Sequence, residues 1–152
     1  MNLKIKDKRA LITGAGRGIG KAVALQLNEE GVKIAAISRT KSDLDDLLLE
    51  IGGIEKGHYI ISKDLLKTKS LNYIVEDIQK NFGNPDIVVN NLGGTLDIKD
   101  PFCSNNDLRE VFRYNLEIAV ELNNLLIPYM KHKRWGRIVN VSSISSSENQ
   151  GP

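Results

Sequence analysis

The run Thr13-Gly14-Ala15-Gly16-Arg17-Gly18-Ile19-Gly20 limits the folds open to this chain more than any other segment. It lies between a compact apolar run, Arg9–Thr13, and a stretch with helical periodicity at residues 21–30. Glycine permits backbone turns and close approaches that a Cβ would block. A helix that starts directly after such a turn offers free N–H groups and a positive dipole end to an anion. Strand, glycine turn and helix in this order point to a βαβ architecture around a phosphate-bearing ligand. The generic G-x-G-x-x-G spacing is not matched. The spacing present is G-x-x-x-G-x-G through Gly14, Gly18 and Gly20, with Thr13 ahead of it. An ordinary glycine-rich turn is the competing reading.

The rest of the chain continues the alternation. Ala22, Val23, Leu25 and Leu27 give the first helix its apolar faces, and Gly31 is expected to end it. Residues 32–38 read as a second buried strand. Ser42 is a candidate cap for a helix over 43–51, whose early Asp43, Asp45 and Asp46 suit a helix N-terminus. A third strand is expected at 58–62, a third helix at 68–82, a fourth strand at 86–90 after Pro85, a long helix at about 106–131, and a fifth strand at 138–142. Strands alternating with helices imply right-handed crossovers and a parallel sheet covered on both faces. The expected fold is thus α/β, a Rossmann-like doubly wound parallel sheet of order 3-2-1-4-5. Gly14, Asn90 and Ser143 should converge at its carboxyl edge. No internal repeat, linker or domain boundary is visible, so residues 1–152 read as one domain.

Bulk properties narrow the classes. At 152 residues, 41% apolar and 26% charged, the chain has the balance of a globular protein, and its net charge of +2 is too small to imply a polyanionic partner. The lone cysteine, Cys103, excludes an intramolecular disulfide framework and fits a reducing compartment. No secretory signal is visible at the start. No apolar run approaches the roughly 18–20 residues that cross a bilayer, so a cytoplasmic protein without membrane partners is expected. His58, His132 and Cys103 lack metal-ligand spacing, and no metal is expected.

Four segments besides the glycine turn carry a family resemblance in the right order. Asn90-Asn91-Leu92-Gly93 follows the fourth strand, Asp64 with Leu65 follows the third, Asn115 falls in the long helix, and residues 136–143 end on Ser142-Ser143. Together they resemble the classical short-chain dehydrogenase/reductase family, whose Asn-Asn-Ala-Gly turn is altered here by Leu92. The resemblance implies that Thr13, Gly14, Arg17, Gly18, Ile19, Gly20, Asp64, Leu65, Asn90, Asn91 and Gly93 bind a nicotinamide dinucleotide. Asp64 would meet the adenine. Asn115 and Ser143 would be the active-site asparagine and serine. The implied reaction is hydride transfer between the cofactor and a small ketone or alcohol, and the implied full-length form is a homo-oligomer.

Within that resemblance, the choice of cofactor has a physical basis. NAD-binding members place a carboxylate at the end of the second strand, where it binds ribose hydroxyls and would repel a 2′-phosphate. Here that position is Ser38, followed by Arg39, with Arg17 near the same ribose. Two guanidiniums can fork onto phosphate oxygens, so NADP is the expected cofactor. A solvated loop arginine is the plainer alternative for Arg39.

The family's Tyr-x-x-x-Lys pair is implied about one dozen residues after the serine, near position 156 and so beyond Pro152. Two matches inside the chain are expected to be accidental. Tyr59 and Lys63 lie on a strand, roughly 13 Å apart. Tyr129 and Lys133 lie about 21 Å of helix rise past Asn115, toward the wrong sheet edge. With family members running to about 250 residues, the chain is expected to be a portion truncated before strands six and seven, inactive by itself. It would leave the fifth strand as an exposed edge. Two other readings stay open: a non-catalytic nucleotide-binding or interaction module, and a nucleic-acid patch at residues 131–137 with Trp135. Solvated cations at a helix C-terminus account more simply for that patch.

Overall fold

A computed structural model describes residues 3–98, 100 and 102–144. Strands β1 (Arg9–Thr13), β2 (Lys33–Ser38), β3 (Tyr59–Ser62), β4 (Ile87–Asn90) and β5 (Arg137–Asn140) form one parallel sheet in the order β3-β2-β1-β4-β5. Between them run α1 (Gly18–Glu29), α2 (Lys41–Glu50), α3 (Asn72–Asn81), α4 (Asn105–Phe112) and α5 (Ile118–Lys133). The expected order and strand polarity are those observed.

Strands β1, β2 and β4 read as nearly continuous apolar runs because both faces of the sheet are covered there. Leu11, Ala35, Ile37, Ile61 and Val88 face one way, onto Ile74 and Ile78 of α3 and Ile118, Leu122 and Leu126 of α5. Their neighbours Ala10, Ile12, Ile34, Ala36, Ile87 and Val89 face the other way, onto Ala24 of α1 and Leu44 and Leu47 of α2. The period-2 alternation of strand side chains thus feeds two cores rather than a core and a solvent face. Leu122 is fully buried, and truncating such a side chain to alanine costs about 2–5 kcal/mol.

Several element ends differ from the expected ones, each for a local reason. Helix α1 begins at Gly18, inside the glycine turn, so the turn is itself the helix N-terminus. It ends as expected at Gly31 (φ +78°): the Gly31 N–H donates to Asn28 O and the Val32 N–H to Leu27 O, the Schellman pattern. Ser42 does not cap α2. The helix starts at Lys41 with Thr40 in the cap position, and Lys41 pairs with Asp45 one turn on. Helix α3 starts at Asn72 rather than 68, because residues 64–68 close a turn of their own: Thr68 Oγ1 donates to Asp64 O at 2.8 Å. The expected long helix is broken into α4 and α5 by a π turn, Arg113–Glu117. It extends to Lys133, where Arg134 adopts the left-handed conformation. Strand β5 covers Arg137–Asn140, so Ser142 lies past it.

Among the described residues β5 pairs only with β4, and Ile138 and Val139 on its opposite faces are exposed. No helix of the described residues is long and apolar enough to cross a membrane. No group of three or more His, Cys, Asp or Glu among them could hold a metal ion.

Candidate functional site

The carboxyl ends of the strands carry the site, as parallel α/β sheets require. Thr13 ends β1, and its buried hydroxyl holds the turn after β4. Oγ1 accepts the N–H of Asn91 at 3.0 Å and that of Leu92 at 3.1 Å, and donates to Val89 O at 3.5 Å. The Asn91 amide returns the contact, donating from Nδ2 to Thr13 O and Gly14 O, both at 3.2 Å. The loops that follow β1 and β4 are therefore tied to each other across the sheet.

The glycine turn is shaped for close approach. A Cβ on Gly20 would lie 2.3 Å from Gly14 O and 2.6 Å from Asn91 Nδ2, so that position is closed to any side chain. Gly18, by contrast, has φ +55° and faces open space at the start of α1. The helix opens with no side-chain cap. Its first N–H groups are the ordinary unpaired donors of a helix start, directed at whatever lies over Gly18. A dinucleotide's pyrophosphate fits this cradle by charge and by space.

Two clefts meet at Asn91, Leu92 and Gly93. One, of about 200 Å³, is lined by Gly14, Arg17, Ser38, Arg39, Asp64 and Leu65 among others. This brings together most of the expected cofactor residues. The second, of about 550 Å³, is lined by Ile19, Thr95, Val111, Asn115, Ser142 and Ser143. Asn115 and Ser143 thus share one cleft although they lie on different elements. Thr13, Gly18, Gly20 and Asn90 lie beneath or beside these clefts rather than in their linings.

In the smaller cleft, Arg17, Arg39 and Lys63 form no ion pair or side-chain hydrogen bond with the described residues. Asp64 is the carboxylate that shares the lining, and its Oδ1 accepts the Leu66 N–H at 3.0 Å. The cleft therefore presents an excess of donors and positive charge.

The two asparagines of the β4 turn and Asn115 act on backbone and on one another. Asn90 is buried and donates from Nδ2 to Asn140 Oδ1 at 2.8 Å and Asn123 Oδ1 at 3.1 Å, joining β4, β5 and α5. Asn115 sits in the π turn. Its Oδ1 accepts the Gly94 N–H at 2.9 Å, and its Nδ2 donates to Gly94 O and Val111 O, both at 2.8 Å. Both amide hydrogens are thus engaged by the backbone, and a Cβ on Gly93 would come within 2.9 Å of Asn115 Oδ1. Widened π turns recur where a helix must present a side chain to a site.

Neither internal Tyr-x-x-x-Lys match reaches this edge as a pair. Tyr59 donates to Asp77 Oδ2 at 2.8 Å, and burial together with that carboxylate pushes its phenol above the ordinary tyrosine value. Lys133 is paired with the buried Asp86, just before β4 and so at the amino edge of the sheet. Tyr114, Asn123 and Asn140 were not singled out from the sequence, and Lys63 was read only as half of an accidental Tyr-x-x-x-Lys match. Lys63 and Tyr114 line the smaller cleft, and the two asparagines fix Asn90. The signals were present: Lys63 directly precedes Asp64, Tyr114 directly precedes Asn115, and Asn140 is a polar residue closing an apolar strand.

Comparison with known proteins agrees with this geometry. The short chain dehydrogenase family model matches residues 8–151. The 3-oxoacyl-(acyl-carrier-protein) reductase FabG of Thermotoga maritima is 33% identical over 144 residues, covering 93% of this chain and 58% of its own length. Mouse L-xylulose reductase is 34% identical over 152 residues, covering 96% and 57%. An uncharacterized oxidoreductase of Mycobacterium tuberculosis is 34% identical over 141 residues, covering 92% and 54%. The chain spans little more than half the length of these relatives.

Proposed function

This chain belongs to the short-chain dehydrogenase family, and we propose that it is the cofactor-binding part of an NADP-preferring oxidoreductase acting on a small ketone or alcohol. The observation that carries this reading is the cleft lined by Arg17 and Arg39, with Ser38 where a carboxylate would select NAD. Relatives named for 3-oxoacyl and for L-xylulose reduction support a carbonyl compound as the substrate class.

When bound, the nicotinamide supplies or accepts the hydride. The N–H groups at the start of α1, with Gly14, Gly18 and Gly20, hold the pyrophosphate. Ile19, exposed beside the larger cleft, offers an apolar wall to the nicotinamide end. Arg17 and Arg39 fork onto the 2′-phosphate, beside Ser38. Asp64 meets the adenine, over the apolar floor that Leu65 provides. Thr13, Asn90 and Asn91 keep the two loops at the spacing the dinucleotide needs, with Gly93 passing close to it. Ser143 donates to the substrate oxygen and orients it. Asn115 is a positioning residue, because its amide brackets Gly94 and Val111 rather than pointing donors into the cleft.

Among the described residues lining the larger cleft, no side chain titrates near neutrality. Proton exchange with the substrate is therefore assigned to a group other than these lining residues, for which the family resemblance implies a Tyr-x-x-x-Lys pair. A polypeptide of residues 1–152 alone should not turn over. The natural protein is read as a cytoplasmic homo-oligomer. Exposed Phe112, Leu116 and Val120 along α4, the π turn and α5 offer apolar surface for that assembly.

The test is steady-state NADPH oxidation by the natural protein in full, across a panel of ketones. Turnover is expected, and Ser143→Ala should lower it by about 100-fold, the usual effect of removing one donor to a developing oxyanion. Cofactor binding without turnover of any carbonyl would favour a non-catalytic nucleotide-binding module instead.

A further inference from the structure

We propose that Lys63 is a third cation for the cofactor's 2′-phosphate and therefore a determinant of NADP over NAD; this rests on the cofactor reading above. Strands β2 and β3 pair in parallel with Ser38 opposite Ser62. The next residue of each strand, Arg39 and Lys63, thus leaves the sheet at the same level on its carboxyl edge. The two exits are stitched together: the Lys63 N–H donates to Ser38 O at 2.9 Å, and Ser62 Oγ donates to Arg39 O at 3.1 Å. Neighbouring strands lie about 4.8 Å apart, so the two cations start from fixed and adjacent backbone positions.

Both residues line the same cleft as Arg17. None of the three has an ion pair among the described residues, and Asp64 in that lining accepts the Leu66 N–H on Oδ1 without pairing to any of them. Three cations share this lining with one carboxylate, Asp64, so the cleft keeps a positive excess that a dianion can neutralise. A phosphate monoester carries close to two negative charges at neutral pH and three acceptor oxygens. Two guanidiniums can fork onto it, and an ammonium on a flexible stem can take the remaining oxygen as a point charge. The 2′-hydroxyl of NAD offers no such compensation. Lys63 should therefore act on the phosphorylated ribose alone, with no part in proton transfer, since Tyr59 is turned to Asp77.

The experiment is calorimetric titration of the natural protein in full with 2′,5′-ADP and 5′-AMP, which differ only in the 2′-phosphate. Wild type, Lys63→Ala and Lys63→Arg are compared. Lys63→Ala should weaken 2′,5′-ADP about tenfold, the scale of one charge-assisted hydrogen bond. It should leave 5′-AMP within about twofold, and Lys63→Arg should recover most of the loss. The salt dependence of 2′,5′-ADP binding should flatten in Lys63→Ala. If the wild type prefers 2′,5′-ADP but Lys63→Ala keeps the full preference, or loses both ligands in parallel, the assignment of Lys63 is wrong and the cofactor reading stands. If the wild type shows no preference for 2′,5′-ADP, the cofactor reading itself is wrong.

Discussion

Thr13 and Asn91 hold each other by both main chain and side chain: Thr13 Oγ1 accepts the Asn91 N–H at 3.0 Å, and Asn91 Nδ2 donates to Thr13 O at 3.2 Å. Seventy-eight positions apart in sequence, they fix the two loops between which the dinucleotide is proposed to lie. The hydroxyl uses its full capacity, one donor and two acceptor sites, all on backbone groups of residues 89–92.

Thr13→Val keeps the shape and removes the hydroxyl, so the N–H groups of Asn91 and Leu92 lose their acceptor. Each buried donor left unpaired costs about 1–3 kcal/mol. Urea unfolding should show a loss of about 2–4 kcal/mol, with weakened nucleotide binding. Thr13→Ser should stay within about 1 kcal/mol of wild type. An unchanged midpoint for Thr13→Val would show that these bonds do not hold the turn.

The sheet was legible in the sequence because strands buried on both faces are apolar at every position, as in Ile34, Ala35, Ala36 and Ile37, and because helices separate them. What was not legible depends on contacts between distant segments. Nothing local marks the π turn, which is accompanied by the bonds from the Asn115 side chain to Gly94 and Val111. Ser42 carries a good capping side chain, yet the helix starts one residue before it. Lys63 was read only as half of an accidental Tyr-x-x-x-Lys match because its place is a matter of register: only pairing of β2 with β3 sets it beside Arg39.

Asp86 and Lys133 form the main ion pair at the opposite edge of the sheet. Asp86 is buried, and its Oδ2 also accepts the Arg9 N–H at 3.0 Å. Its carboxylate holds Lys133 above the ordinary lysine value. Lys133→Met would leave a buried carboxylate with a single neutral donor. Breaking a fully buried pair costs about 3–5 kcal/mol; because solvent reaches Lys133, about 2 kcal/mol is expected here. The double variant Asp86→Asn/Lys133→Met should recover most of it in thermal unfolding. Equal stability of wild type and Lys133→Met would show that Asp86 needs no counter-charge.

His58 makes stability depend on pH. It is buried, its Nδ1 accepts the Ile34 N–H at 3.0 Å, and its ring also meets the Ile51 backbone. Burial holds it below its ordinary value of 6.5, assisted by Lys33 and opposed by the Ile51 contact. Below 6.5 the unfolded chain takes up a proton that the folded protein still refuses, so stability falls with pH. The fall stops once pH drops through the lowered folded value. The slope in that window should reach about 1.4 kcal/mol per pH unit at most. Above 6.5 the contribution is complete and flat. Urea denaturation at several pH values should show this slope in wild type and not in His58→Gln; identical slopes would remove His58 as the cause.

The most direct test of the cofactor assignment is titration of the natural protein with NADPH and NADH, followed by fluorescence, in wild type and Arg39→Ala. NADPH should bind more tightly than NADH, because its 2′-phosphate alone can engage the cations of the smaller cleft. Arg39→Ala should remove about 1.5–3 kcal/mol of that preference while leaving NADH affinity unchanged. Equal affinities of the wild-type protein for the two dinucleotides, or tighter binding of NADH, would contradict the assignment.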